Sequence, residues 1–216
     1  MVNTAMIFAA GFGTRMGKLT EQTPKPLLRL HGRPMIDHCI DLLHEAGIGR
    51  IVANTHYLPE QLEAHLKKRG VTTVRENTIL ETGGGLKAAL PVLGDGPVIT
   101  INPDALWTGL NPVRQLIDAW NPDMKGLLML YDDGQQSDDF SLEHGKIHRN
   151  GPYRFTGLQV IQTESLCKIT EQVFSLNLYW DLLMQTSSLH GITYDGEWTD
   201  IGTERSLVAA NRAFTA

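Results

Sequence analysis

From residue 5 to residue 131 the chain alternates short apolar or β-branched runs with amphipathic stretches, several of which begin at proline and stop at glycine. This rhythm narrows the fold more than any other feature, because strands joined through helices lie parallel in one covered sheet. AMIFA reads as the first strand. PMIDHCIDLLHEAG reads as a helix, with Pro34 at its first turn, Ile36, Ile40 and Leu43 on one face, and Gly47 as terminator. RIVANT, PEQLEAHLKKRG and TTVRE continue as strand, helix and short strand. After ETGGG come a helical LKAALPVL, a buried strand PVITIN ending at Pro103 and Asp104, a helix PVRQLIDAW and a strand GLLMLY. The expected class is α/β, with a doubly wound, mostly parallel, Rossmann-like sheet. From Asp132 to Tyr194 the runs shorten to DFSLE, GKIHR, YRFTGLQVI and HGITYD around one helix, NLYWDLLMQ. An antiparallel extension beside the sheet is expected there, forming an acceptor pocket.

One domain over residues 1–216 is expected, with halves at 1–131 and 132–216. The 216 residues, 42% of them hydrophobic, suffice for one substantial core, and no repeat or linker divides them. A net charge of −5 leaves no broad cationic face for nucleic acid or an anionic membrane, so any phosphate site must be local. The start MVNTAMIFAAGFG lacks a signal peptide's basic and long apolar regions, and no run approaches the roughly 20 residues of a membrane helix. Cys39 and Cys167 are too few for a disulfide framework or a cysteine zinc site. A cytoplasmic protein, monomeric or a small homo-oligomer, is expected. The eight histidines show no metal-ligand spacing.

The segment AAGFGTRMGKL, Ala9 to Leu19, follows the first strand with three glycines and two cations. Such a turn directs backbone N–H groups at an anion. It is not a P-loop: Gly11 and Gly17-Lys18 enclose five residues instead of four, and Leu19 stands where the magnesium-binding hydroxyl belongs. Nor is it the dinucleotide fingerprint, whose third glycine or alanine would fall at Met16.

The full stretch FAAGFGTRMGKLTEQTPKPLLRL resembles the opening of the sugar-1-phosphate nucleotidyltransferase family: a strand, AAGxGTRM, a Leu-Thr pair and PKPL. The resemblance continues in order through ETGGGL at Glu81 to Leu86, Asn102 to Asp104 closing a strand, FTG at Phe155 to Gly157, and EWTDIGT at Glu197 to Thr203. It implies transfer of a nucleotidyl group from a nucleoside triphosphate to a sugar 1-phosphate, with release of pyrophosphate. Ala9, Ala10, Gly11, Gly13, Thr14 and Arg15 would cradle the triphosphate, Arg15 holding the leaving pyrophosphate. Glu81, Gly83, Gly84 and Asn102 would contact the nucleoside side, and Thr156, Gly157 and Trp198 the sugar.

The chemistry brings one phosphate against another, so charge neutralisation and in-line positioning dominate and no protein nucleophile is needed. Lys25, between two prolines in PKP, is a cation on a stiffened segment suited to the reacting phosphate, although a plain surface lysine is the ordinary alternative. Asp104 ends a buried strand at the sheet edge where ligands of such folds bind, and Asp200 lies nearly a hundred residues later. Two carboxylates converging from distant segments suit Mg²⁺ whose remaining ligands are phosphates and water. Asp104 could instead shape a turn after Pro103, and Asp200 could cap the helix TERSLVAANRAF, for which Thr203 is better placed. The glycines of ETGGG could accept a base edge or ribose against bare backbone, or be a flexible turn.

Two departures stand out. The family commonly reads RPLT or KPLT where this chain has Gly17-Lys18-Leu19-Thr20, and Asn-Gly-Asp where it has Asn102-Pro103-Asp104. Proline deletes an amide and fixes φ near −65°. The length, ETGGG, the loop DDGQQSDDFSLEHGKI and EWTDIGT most resemble the branch acting with UTP on N-acetylmuramate 1-phosphate in peptidoglycan recycling. The C-terminal β-helix of many relatives is not expected. Mannose-1-phosphate guanylyltransferase, or another hexose-1-phosphate enzyme, is the alternative. A catalytically impaired nucleotide-sugar-binding regulator is a third reading, prompted by Pro103.

Overall fold

The computed structural model describes residues 2–134 and 137–213. Its first half contains β1 (Thr4–Ile7), the short ribbon β2 (Arg29–Leu30) and β3 (Arg33–Pro34), α1 (Met35–Glu45), β4 (Arg50–Thr55), α2 (Pro59–Lys68) and β5 (Thr72–Arg75). There follow α3 (Glu81–Leu93), β6 (Pro97–Ile101), β7 (Ala105–Thr108), α4 (Pro112–Ala119) and β8 (Gly126–Tyr131). The second half adds β9 (Phe140–Glu143), β10 (Lys146–Arg149), β11 (Arg154–Gln162), α5 (Leu176–Gln185), β12 (Leu189–Thr193), β13 (Glu197–Asp200) and α6 (Glu204–Ala213). The sequence-read helix TERSLVAANRAF is thus present up to Ala213, and Phe214, like Gln135 and Gln136 of the loop quoted above, lies outside the described residues.

Among the described residues one nine-stranded sheet runs in the order β5-β4-β1-β6-β11-β8-β12-β10-β9. The pairings make β10 and β11 antiparallel to their neighbours while the other seven strands share one direction. The antiparallel extension expected beside the sheet is therefore continuous with it, and β11 lies inside, between β6 and β8. Both halves contribute strands to this one sheet.

Strand alternation sorts side chains into two cores on opposite faces. Ala5, Ile7, Ile51, Ala53, Ile99, Ile101, Leu127 and Met129 pack with α1, α2 and α4. Met6, Val52, Val98, Leu128 and Leu130 pack on the other face with α3 and α5. The strands are apolar on both faces because helices cover both. No helix among the described residues is long and apolar enough to cross a membrane.

Two elements were not legible as read. ETGGG is not a turn ahead of a helix but the first turns of α3. ALWT, to which the sequence reading gave no element, is β7, which pairs antiparallel with β13 in a separate two-stranded ribbon. This ribbon organises the site described next.

Candidate active site

The loop after β1 leaves the sheet at its C-terminal edge. The Phe8 N–H still donates to Ile101 O at 3.0 Å, and the Ala9 N–H donates to the Asn54 side-chain Oδ1 at 2.7 Å. Beyond them, the amides of Gly11, Phe12 and Gly13 have no hydrogen-bond partner among the described residues. Gly13 is required twice: its φ is 66°, and a Cβ there would lie 2.8 Å from Lys25 Cβ. Thr20 Oγ1 donates to Gly13 O and Gly17 O, folding the following turn back under the loop.

Lys25 opens a one-turn 3-10 helix, Lys25–Leu27, whose preceding Pro24 is extended (φ −62°, ψ 139°) and whose second residue is Pro26. Proline on both sides restricts the backbone and aims the side chain inward. Lys25 Nζ stands 2.5 Å from Asp104 Oδ2, and the two side chains are only 12% and 22% exposed, so this ion pair is largely shielded from water.

The β7–β13 ribbon joins the two carboxylates. Ala105 pairs with Asp200, and the Ile201 N–H donates to Asp104 O at 2.7 Å. Gly202 leaves room for two charged side chains: a Cβ there would sit 2.5 Å from Asp200 Oδ2 and 3.1 Å from Arg15 Nη1. Asp200 and Arg15 thus meet over one glycine. Burial pushes the Asp200 carboxyl above its usual pKa, the charge of Asp104 adds to this, and Lys25, Arg15 and Arg154 oppose it. Burial, reinforced by the charge of Asp104, also pushes the Cys39 thiol above its usual pKa.

The glycine loop, Lys25, Asp104 and Gly202 border a cleft of about 400 Å³. Ala9, Ala10, Gly11, Gly13, Thr14, Arg15, Lys25, Glu81, Asn102 and Asp104 all line it. Ala9 contributes its wall but not its amide, which Asn54 already holds. Gly83 and Gly84 are not brought to the cleft. Both donate to Phe174 O, at 2.9 and 3.0 Å, and a Cβ would collide with the Phe174 ring at 2.3 Å or with Gln172 O at 2.2 Å. Their smallness serves close packing of α3 against the 172–174 segment, so they offer no backbone to a nucleoside.

On the acceptor side, β11 changes register against β8 between Phe155 and Gln159, a bulge that turns FTG toward the cleft. Gly157 has φ 84°, and a Cβ would lie 2.6 Å from Asn102 Nδ2, while the Asn102 N–H donates to Gly157 O at 3.0 Å. Thr156 is buried and its hydroxyl donates to Met129 O at 2.7 Å, so it shapes the bulge and has no free O–H for a sugar. Thr156, Gly157 and Trp198 line a cavity of about 180 Å³ together with Asp104, Asp200 and Arg154. Trp198 packs on Tyr131 at 5.7 Å and Trp107 at 6.4 Å, and its buried indole N–H has no partner among the described residues.

A neighbouring cavity of about 530 Å³ contains residues that no motif flagged. Arg149 lies over the rings of Phe140 and Trp180, 5.0 and 5.8 Å from their centroids, held by Asp181 and Asn177. The buried Gln159 links Thr100 Oγ1 (2.9 Å) to the Trp180 indole N–H (2.8 Å). Single residues on otherwise ordinary strands carry no pattern, so sequence reading had no signal for them. Gly202, in contrast, was visible inside EWTDIGT and passed over.

A divalent cation fits the donor set. Asp104 and Asp200 are hard oxygen donors drawn together by the ribbon at a cost in mutual repulsion, and a cation between them relieves it. Among the described residues no group of three or more His, Cys, Asp or Glu forms a metal cage, so other ligands would have to be phosphates and water.

A family model described as "MobA-like NTP transferase domain" matches residues 5–189. The N-acetylmuramate alpha-1-phosphate uridylyltransferase of Caulobacter vibrioides is 30% identical over 95% of this chain and 94% of its own. A mannose-1-phosphate guanyltransferase of Aspergillus fumigatus is 28% identical over 94% of this chain and 62% of its own. The solved UDP-glucose pyrophosphorylase from Acinetobacter baumanii shares 18% identity and a TM-score of 0.83 over 99% of this chain and 93% of that one, a likeness of fold.

Proposed function

The chain belongs to the MobA-like NTP transferase family and is a sugar-1-phosphate nucleotidyltransferase; from that premise we propose that it condenses UTP with N-acetylmuramate 1-phosphate, using Mg²⁺, to give the UDP-sugar and pyrophosphate. The observation that carries the chemistry is the meeting of Arg15, Lys25, Asp104 and Asp200 between a glycine loop with free amides and a second cavity lined by β11. The choice of substrates is supported by the 30% identity to the Caulobacter enzyme over nearly the whole of both chains.

In this reading an oxygen of the sugar 1-phosphate attacks the α-phosphorus of UTP, the bond from that phosphorus to the bridging oxygen breaks, and pyrophosphate leaves with the electron pair. The loop amides of Gly11 to Gly13 and the guanidinium of Arg15 bind the β- and γ-phosphates and take up the charge that develops on the leaving group. Lys25 exchanges its contact with Asp104 for the reacting phosphates. Asp104 and Asp200 would hold magnesium, which supplies Lewis-acid neutralisation of phosphate charge. Trp198 and the β11 bulge orient the acceptor. The reaction is assigned to the cytoplasm and to peptidoglycan recycling, in keeping with two unpaired cysteines.

Similarity to mannose-1-phosphate guanyltransferases over 94% of the chain motivates a second reading, with GTP and mannose 1-phosphate. A panel of the four nucleoside triphosphates against several sugar 1-phosphates, followed by pyrophosphate release, separates the two. The highest kcat/KM is expected for UTP with N-acetylmuramate 1-phosphate. A preference for GTP with mannose 1-phosphate would replace the first reading, and binding without any pyrophosphate release would favour an impaired regulator.

A further inference from the structure

Glu76 follows β5 and is 5% exposed, yet among the described residues no Lys, Arg or His side chain forms an ion pair with its carboxylate. A buried carboxylate without a cation must be satisfied by hydrogen bonds. Two donors supply them. Asn54 Nδ2 donates to Oε1 at 2.7 Å, and the Leu80 N–H donates to Oε2 at 3.0 Å. Asn54 in turn accepts the Ala9 N–H on its Oδ1 at 2.7 Å. The Glu76 backbone is fixed as well, since its N–H donates to Thr55 O at 2.8 Å and its carbonyl accepts from His56 Nδ1 at 2.9 Å.

Three hydrogen bonds therefore run in series from the first residue of the phosphate loop, through β4, to the residue preceding α3. Ala9, Asn54, Glu76 and Glu81 all face the nucleotide cleft, with Ala9 on the loop side and Glu81 at the start of α3. Gly85 leaves the space this chain needs, because a Cβ there would lie 2.7 Å from Glu76 Oε1 and 2.9 Å from Asn54 Nδ2. That requirement accounts for the third glycine of ETGGG.

We propose that Glu76 is a positioning residue for the nucleoside triphosphate: acting through Asn54, its carboxylate sets the span between the phosphate loop and the start of α3. The proposal rests on the nucleotidyltransferase reading above. The bond polarity is specific. Asn54 must accept from Ala9 and donate to Glu76, and Glu76 must accept twice. A glutamine at position 76 has one acceptor for two donors, and an aspartate at position 54 sets two carboxylates against each other. The double variant Asn54→Asp/Glu76→Gln reverses the middle bond and restores all three, with the same shape and the same net charge.

The test is a cycle of Asn54→Asp, Glu76→Gln and the double variant, read by calorimetric binding of Mg-UTP without sugar phosphate and by KM for each substrate, well below each variant's melting temperature. Each single variant is expected to weaken UTP binding and raise its KM about tenfold, the consequence of one unsatisfied buried group, with the sugar-phosphate KM unchanged. The double variant should return to within about threefold of wild type. Folded single variants that bind UTP as wild type does, or a double variant whose loss is the sum of the singles, would overturn the proposal. If a single variant does not fold, the double variant alone decides: near-native UTP affinity supports the positioning role, and weak affinity in a folded protein refutes it. A wild type that binds no nucleoside triphosphate overturns both this inference and the proposed function, whereas a wild type that binds UTP alongside unaffected variants overturns this inference alone.

Discussion

Lys25 Nζ stands 2.5 Å from Asp104 Oδ2, joining residues 79 positions apart at the mouth of the sheet. The contact sets a cation against a carboxylate, so neither charge is buried alone. Everything that sets this contact has an identifiable cause: two prolines around Lys25, a glycine at 13 that lets it pass, and a ribbon that holds Asp104 next to Asp200.

Gly13→Ala tests that geometry from a residue with no chemistry of its own. The new methyl meets Lys25 Cβ at 2.8 Å and sits at φ 66°. The expected outcome is a fall in kcat of about tenfold or more from displacement of Lys25, with destabilisation of roughly 1 kcal/mol measured by thermal melting. Unchanged kcat would show that Lys25 tolerates the shift.

The two cations should fail differently. Arg15→Ala should weaken triphosphate binding and slow pyrophosphate departure, whereas Lys25→Ala should mainly slow the transfer step, because its charge already lies at Asp104. Steady-state and single-turnover kinetics distinguish them. Identical defects in both regimes would remove the division of roles.

Gly83→Ala should destabilise without touching catalysis at temperatures where the protein is folded. A Cβ there meets the Phe174 ring at 2.3 Å and Phe174 O at 2.9 Å, an overpacking that costs roughly 1–3 kcal/mol. A drop in UTP affinity with unchanged melting would instead return Gly83 to the nucleotide site.

This glycine also marks where the sequence was legible and where it was not. The strand–helix rhythm could be read because hydrophobic period is written in adjacent residues, whereas Arg15, Lys25, Asp104 and Asp200 were singled out mainly by resemblance to the family's motifs. ETGGG was misread because three glycines and a threonine have little helix propensity of their own; contact with Phe174 and Gln172, remote in sequence, overrides it. The β7–β13 ribbon pairs ALWT with EWTD nearly a hundred residues apart, and the placement of β11 inside the sheet depends equally on remote pairing. Glu76 and Arg149 act as single buried or stacked side chains, for which no local pattern exists.

Pro103→Gly addresses the departure from Asn-Gly-Asp. The backbone is pinned on both sides of Pro103, by Asn102 N–H on Gly157 O and by Ile201 N–H on Asp104 O, and the expectation is that the proline presets Asp104. Activity should stay unchanged or fall modestly. A tenfold rise in pyrophosphate release, about 1.4 kcal/mol of transition-state stabilisation, would mean that the native residue impairs the enzyme.

The most direct measurement is single-turnover pyrophosphate release from Mg-UTP and N-acetylmuramate 1-phosphate by the wild type and by Asp200→Asn. The wild type should release one pyrophosphate per UDP-sugar formed. Asp200→Asn, folded by circular dichroism, should be slower by about 10²-fold or more, since it removes a charged group from a site governed by phosphate repulsion. Equal rates in the two proteins, or no release by the wild type with this pair of substrates, would contradict the assignment.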